Sequence, residues 1–225
     1  MTRVRRFLAL AAAALALAGA LPAQALTVKI ATAFDPQTMD PHALALLYHS
    51  RIAFQVYESL LNRDEQFKPE PGLALSWSNV DPKTWRFKLR QGVRFHDGTP
   101  FTVDDAVFTI QRAIAPPSQR GFQLKGVVGS KKVDEQTLEV NLEAPDAVLP
   151  EKFINLPMMS KAWSQANRVE LSQDFNGKQE TFAVRNANGT GPFVLARPLG
   201  ERGSAFGDSR PDRAHPDHHR IEPRP

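Results

Sequence analysis

Cysteine is absent from the 225 residues. That absence removes disulfides, thiolate metal sites and cysteine nucleophiles together. It also excludes a lipid-modified cysteine as a membrane tether. Neither a Gly-x-Ser-x-Gly elbow nor a His-Glu-x-x-His helix occurs, so the sequence gives a secreted hydrolase, the rival from the enzyme class, no nucleophile with its base. No basic cluster with interleaved aromatics marks a nucleic-acid surface, and no nucleic-acid partner is expected. The longest apolar run, residues 7–21, is too short to span a hydrocarbon core of about 30 Å.

That run is nevertheless informative. Arg3, Arg5 and Arg6 precede it and Ala23-Gln24-Ala25 follow it, the layout of a cleaved secretory signal over residues 1–25. Phe7-Leu8 directly after Arg5-Arg6 is a poor spacing for a twin-arginine signal, so the general secretory route is expected. The formal charge of +4 loses three arginines with the signal and falls to +1. The expectation is a soluble, monomeric protein of the periplasm.

Along the mature chain, residues 26–31 read as a buried strand. A loop over residues 34–41 follows, in which Pro36 and Pro41 turn the residues before them away from helical geometry. Leu44, Tyr48, Ile52, Val56 and Leu60 recur at spacing four, which predicts an amphipathic helix of four to five turns. Residues 73–80 read as a strand, with a turn at Asp81-Pro82-Lys83. Next, Trp85, Phe87 and Leu89 alternate with Arg86, Lys88 and Arg90, the pattern of a half-buried antiparallel strand. Gly92 and Gly98 mark turns, the second in the Asp97-Gly98 pair. Thr102 is the expected N-cap of a helix with Asp105 as its reciprocal acid. Asp104 and Asp105 also suit the positive end of the helix dipole. Residues 124–128 and 137–142 predict a hairpin, and residues 149–155 and part of 160–167 predict helices. Gly189-Thr190-Gly191 opens a strand at residues 193–195.

After Leu195 the composition changes. Residues 196–225 hold six Arg, five Pro and three of the six His, with only Leu199, Phe206 and Ile221 as large apolar residues. Such a segment buries too little surface to offset its ordering entropy, and a disordered tail is expected.

Four blocks agree in order and spacing with one known family. They are residues 34–41, Val56-Tyr57-Glu58-Ser59-Leu60, the run 73–101 with its core Trp85-Arg86-Phe87 to His96-Asp97-Gly98, and Gly189-Thr190-Gly191-Pro192-Phe193. The chain resembles the N-terminal part of extracellular solute-binding proteins of family 5, the binding components of peptide and nickel ABC importers. The resemblance implies a mixed α/β fold of the periplasmic-binding-protein type II-like kind. Residues 26–195 would form the first lobe, with an extra β-rich domain inserted at roughly 51–165. The second lobe is missing, and a frameshift or damaged gene end is the expected cause. The implied function is periplasmic capture of a peptide and its delivery to an inner-membrane permease, without catalysis and without a cofactor. A nickel or other metal-chelate binder of the same family is the alternative.

Ligand contact is expected from Thr38, Met39 and Asp40, since loops at the carboxyl ends of strands carry ligands in α/β folds; the resemblance places this loop near the cleft. Tyr48 and Ser50 are further candidates, weighed against helix packing and an ordinary exposed serine. The motif itself reads as structural: Trp85, Leu89, Phe87 and Phe95 as core, Gly92 and Gly98 as turns, with Val93 and Phe101 completing it. His96 and Asp97 read as a local hydrogen-bonding pair rather than a metal or catalytic site. The cluster Asp217-His218-His219 has a metal-like look in a tail that lacks periodic structure; no metal site is expected. One lobe alone is expected to show no measurable peptide affinity.

Overall fold

The computed structural model describes residues 36–199 and the backbone of residues 206–208. The expected signal, the strand at 26–31 and the Asp217-His218-His219 cluster lie outside the described residues.

The chain first forms helix α1 (Leu47–Val56) and a short hairpin, β1 (Leu61–Arg63) with β2 (Pro69–Pro71). Strands β3 (Ala74–Asp81) and β4 (Thr84–Leu89) follow, then helix α2 (Val103–Ile114) and a single 3-10 turn (Gly121–Leu124). Strands β5 (Val127–Asp134) and β6 (Thr137–Leu142) complete a four-stranded antiparallel sheet in the order β3-β4-β6-β5. Three short helices come next, α3 (Leu149–Lys152), α4 (Lys161–Ala166) and α5 (Phe182–Arg185). The strand β7 (Phe193–Leu195) pairs antiparallel with β8 (Phe206–Asp208). The class is mixed α/β.

Alternation decides how the sheet is used. In β4, Phe87 and Leu89 are buried while Arg86 and Lys88 are exposed. In β6, Leu138, Val140 and Leu142 are buried, Leu138 opposite Phe87 and Val140 opposite Trp85. On that face Val103, Ala106 and Ile110 of α2 close the main core, and Phe153 meets Phe87 edge-on at a centroid distance of 5.0 Å. On the other face, Glu139 accepts from Arg86 and Lys131, both at 2.9 Å. Arg86 is therefore paired within the sheet, as is Lys88 with Asp134 at 3.5 Å.

Helix α2 begins as the sequence predicts. The Asp105 carboxylate accepts the Thr102 N–H at 2.8 Å and its hydroxyl at 2.7 Å. Asp104 is exposed and pairs with Lys132 at 3.1 Å.

Two expectations about extent are corrected. Helix α1 spans ten residues, not four to five turns. Its C-cap Tyr57 is already extended, and the backbone of Glu58 and Ser59 pairs with Met158 and Pro157 instead. The hairpin expected from 124 starts at Val127, Leu124 belonging to the 3-10 turn. The tail expectation also fails at its start. Leu199 packs on a second apolar cluster and exchanges hydrogen bonds with Arg185, and β8 lies within the supposed tail. Residues 200–205 and 209–225 lie outside the described residues.

The second cluster comprises Met39, Ala53, Val56, Tyr57 and Met159. Helix α2 links it to the sheet, because Thr109 Oγ1 accepts from Met159 N–H at 2.9 Å.

Candidate ligand-binding region

The loop at residues 36–46 is held from inside the protein. Thr38, Met39 and Asp40 are all buried, none more than 1% exposed. Asp40 receives the Arg112 guanidinium in a two-pronged pair, at 2.9 and 2.7 Å. It also accepts the backbone N–H of His42 at 3.0 Å and of Gln173 at 2.8 Å. Arg112 directs two further donors to the carbonyls of Val169 (3.1 Å) and Leu171 (3.0 Å). Neither side chain reaches solvent. A buried pair of this kind holds only if nearly every donor and acceptor is matched. Here they are.

The titration of the network follows from that matching. Burial pushes the Asp40 carboxyl up, but the charge and hydrogen bonds of Arg112, with His42 and the Gln173 N–H, hold it at about 2. His42 is pushed down to about 3 by burial and by Arg112. It is therefore neutral near pH 7, and its Nε2 donates to the Pro157 carbonyl at 2.9 Å. His49 is also lowered, mainly by burial and then by Arg120, and its Nδ1 donates to Leu44 O at 3.0 Å. Arg120 is lowered to about 10 by burial. It donates to Pro41 O at 3.1 Å and to the Ser50 hydroxyl at 3.0 Å. Tyr57 is raised by burial and by Asp40, and its hydroxyl donates to Met39 O at 3.3 Å.

The five expected contact residues thus divide. The side chains of Thr38, Met39 and Asp40 are interior and fix the loop. Tyr48 and Ser50 are half-buried on α1, and Ser50 is engaged by Arg120 rather than an ordinary exposed serine. The sequence reading missed Arg112, Arg120 and His42. A legible signal existed for Arg112, an arginine between the buried positions Ile110 and Ala113 of an amphipathic helix.

The motif is built as core and turn. Phe87, Leu89, Phe95 and Phe101 are buried in the main cluster, with Trp85 and Val93 packed against it. Trp85 Nε1 donates to Asp146 O at 3.1 Å. Gly92 and Gly98 have φ of 77° and 85°, the left-handed region that favours glycine. The expected His96–Asp97 pairing is corrected, because both residues reach across to the glycine turn near 190. His96 Nε2 donates to Gly191 O at 2.9 Å, and its Nδ1 accepts from Gly189 N–H at 3.3 Å. Asp97 is bonded to Asn188 through both backbone and side chain, at 3.1 and 2.8 Å. Glycine is required at 189 and 191 for a further reason. A Cβ at either position would collide with the backbone of Val56, and at 191 with that of Gln55 as well.

Residues 68–200, which include the whole motif and the glycine turn, match the family described as bacterial extracellular solute-binding proteins, family 5 Middle. The chain belongs to this family. Among curated relatives, the periplasmic oligopeptide-binding protein OppA of Escherichia coli is 33% identical over 130 residues, 49% of this chain and 24% of that protein. The solved OppA of Haemophilus influenzae in complex with RPPGFSPFR is 25% identical, with a TM-score of 0.60. That match covers 72% of this chain and 34% of the other. NikZ from Campylobacter jejuni in complex with Ni(L-His) is 21% identical with a TM-score of 0.61, over 76% of this chain and 32% of the other. The chain therefore spans about a quarter to a third of the length of these proteins. The periplasmic-binding-protein type II-like fold expected from the sequence is matched over that part.

Proposed function

We propose that the chain serves in periplasmic solute capture for an ABC importer of the peptide type, holding peptides for delivery to an inner-membrane permease. Family membership over residues 68–200, joined to 33% identity with an oligopeptide-binding protein, carries this reading. The fold is common to peptide-binding and nickel-chelate-binding neighbours, so the preference for peptide rests on the sequence identity. The role is binding rather than turnover. Physical support comes from the loop at 36–46, which the Asp40–Arg112 pair and Arg120 hold rigid before any ligand arrives. A preorganised wall loses little entropy on binding. Tyr48 and Ser50, which retain part of their surface, are the side chains proposed to meet the ligand, with export through the signal at residues 1–25.

Micromolar affinity corresponds to about −8 kcal/mol, and half of that free energy to about 1 mM. The protein, titrated with di-, tri- and oligopeptides, is expected to give no heats at micromolar concentration. Amide shifts of residues 36–50 should saturate at peptide concentrations of about 1–10 mM. Micromolar heats would refute the expected millimolar range. Absence of any shift with peptide, together with a response to Ni(II)–histidine, would replace the peptide reading by the nickel one.

A further inference from the structure

The segment whose carbonyls receive Arg112 also walls a recess of about 520 Å³, lined in part by Pro117, Arg168, Glu170, Ser172, Asp174 and Thr181. That volume suits a small solute. Its charges are of both signs, and they are uncommitted. The Arg168 guanidinium and the Glu170 carboxylate have no partner among the described residues. Asp174 is oriented by one oxygen, which accepts the Gly177 N–H at 2.8 Å, and its other oxygen remains open. The Thr181 hydroxyl oxygen is shielded from solvent and likewise has no partner among the described residues.

The backbone adds an independent observation. Helix α4 closes with Arg168 N–H donating to Gln165 O and Val169 N–H to Ser164 O. This pattern places Arg168 in the left-handed region, with φ of 55°. Glycine takes that helix-terminating position at lowest cost, and arginine holds it at some cost, as Phe67 and Lys178 do at φ of 63° and 53°. Residues held in disfavoured backbone conformations cluster at functional sites.

We propose that this recess binds a zwitterionic α-amino carboxylate, with Arg168 taking the carboxylate and Glu170 and Asp174 the ammonium group. A guanidinium fork matches the two oxygens of a carboxylate. The opposite charges reject a solute that carries only one sign. The site differs from the loop at 36–50 and stands or falls independently of the peptide reading.

The test is a titration of the ¹⁵N-labelled full chain with alanine, dialanine and N-acetyl-dialanine amide, read at the amides of 168–174 and 181. Alanine and dialanine are expected to give saturable shifts with half-saturation in the millimolar range, and the capped peptide none. If only dialanine acts, the recess takes peptide ends rather than free amino acids, still within the proposal. Arg168→Gly separates site from scaffold. It should weaken binding at least tenfold yet raise Tm by about 2–4 °C, because glycine relieves the left-handed backbone. No saturation by about 50 mM, a dissociation constant beyond any useful range, would overturn the proposal. So would an equal response to the capped peptide, or an Arg168→Gly chain that binds as well as the parent or melts no higher.

Discussion

Asp40 and His42 stand two residues apart in one buried network, and acid attacks both. A free imidazole protonates near 6.5, whereas folded His42 does so at about 3. The unfolded chain takes the proton first, so this contribution is complete above pH 6.5 and is lost as pH falls towards 3. At full extent it is on the order of 4–5 kcal/mol. Asp40 ionises at about 2 when folded against 3.8 when free. Its contribution, about 2 kcal/mol, is complete above pH 4 and is lost as pH falls through 2. Urea denaturation between pH 7 and 4 should show stability falling from the His42 window first. His42→Gln, which keeps a donor for Pro157 O, should flatten that slope; an unchanged slope would assign it to other groups. Removing one charge is harsher. Arg112→Met leaves Asp40 buried and unpaired, and should cost about 3–5 kcal/mol in the same measurement at pH 7.

Among the elements, those whose partners lie close in sequence were readable before the structure. Strand β4 shows its core face in Trp85, Phe87 and Leu89, and α2 announces its start through Thr102 and Asp105. Helix α1 was read too long because Leu60 continues the spacing-four stripe. What ends the helix is pairing at Glu58 and Ser59 with residues 157 and 158, which no local period contains. The same limit hid the partners of His96, more than ninety residues on, and of Arg112, seventy-two residues back. The site was legible only in outline: Asp40 was singled out, but its burial against Arg112 was not. The glycine turn near 190 gives a sharp test of these distant contacts. Gly189→Ala pushes a methyl group into Val56 backbone that cannot yield, and should cost at least about 3 kcal/mol in thermal or urea unfolding. A cost below about 1 kcal/mol, typical of a surface substitution, would show that the turn moves freely.

For the molecule as a whole, the decisive contact is at the foot of the sheet. Met158 N–H donates to Glu58 O at 2.8 Å, and Ser59 bridges Pro157. The chain thus leaves for the sheet and returns from it side by side. Every buried residue of the main core lies between Leu60 and Met158. Residues 58–158 should therefore fold alone, with a cooperative thermal transition and near-ultraviolet circular dichroism from Trp77 and Trp85. A broad, non-cooperative melt would refute this. The same foot decides how the protein bears tension. Pulled from its two ends, the chain passes load through the bonds of residues 39–42 and 58–59 to 157–184, and also through Asp40 to Arg112 and through His96 and Asp97 to residues 188–191. Once those bonds tear, the sheet bears the load itself, and its unfolding would release roughly 330 Å of chain at about 3.3–3.6 Å per residue. Hauled through a narrow pore, the sheet is a knot drawn tight only after its loop has been opened.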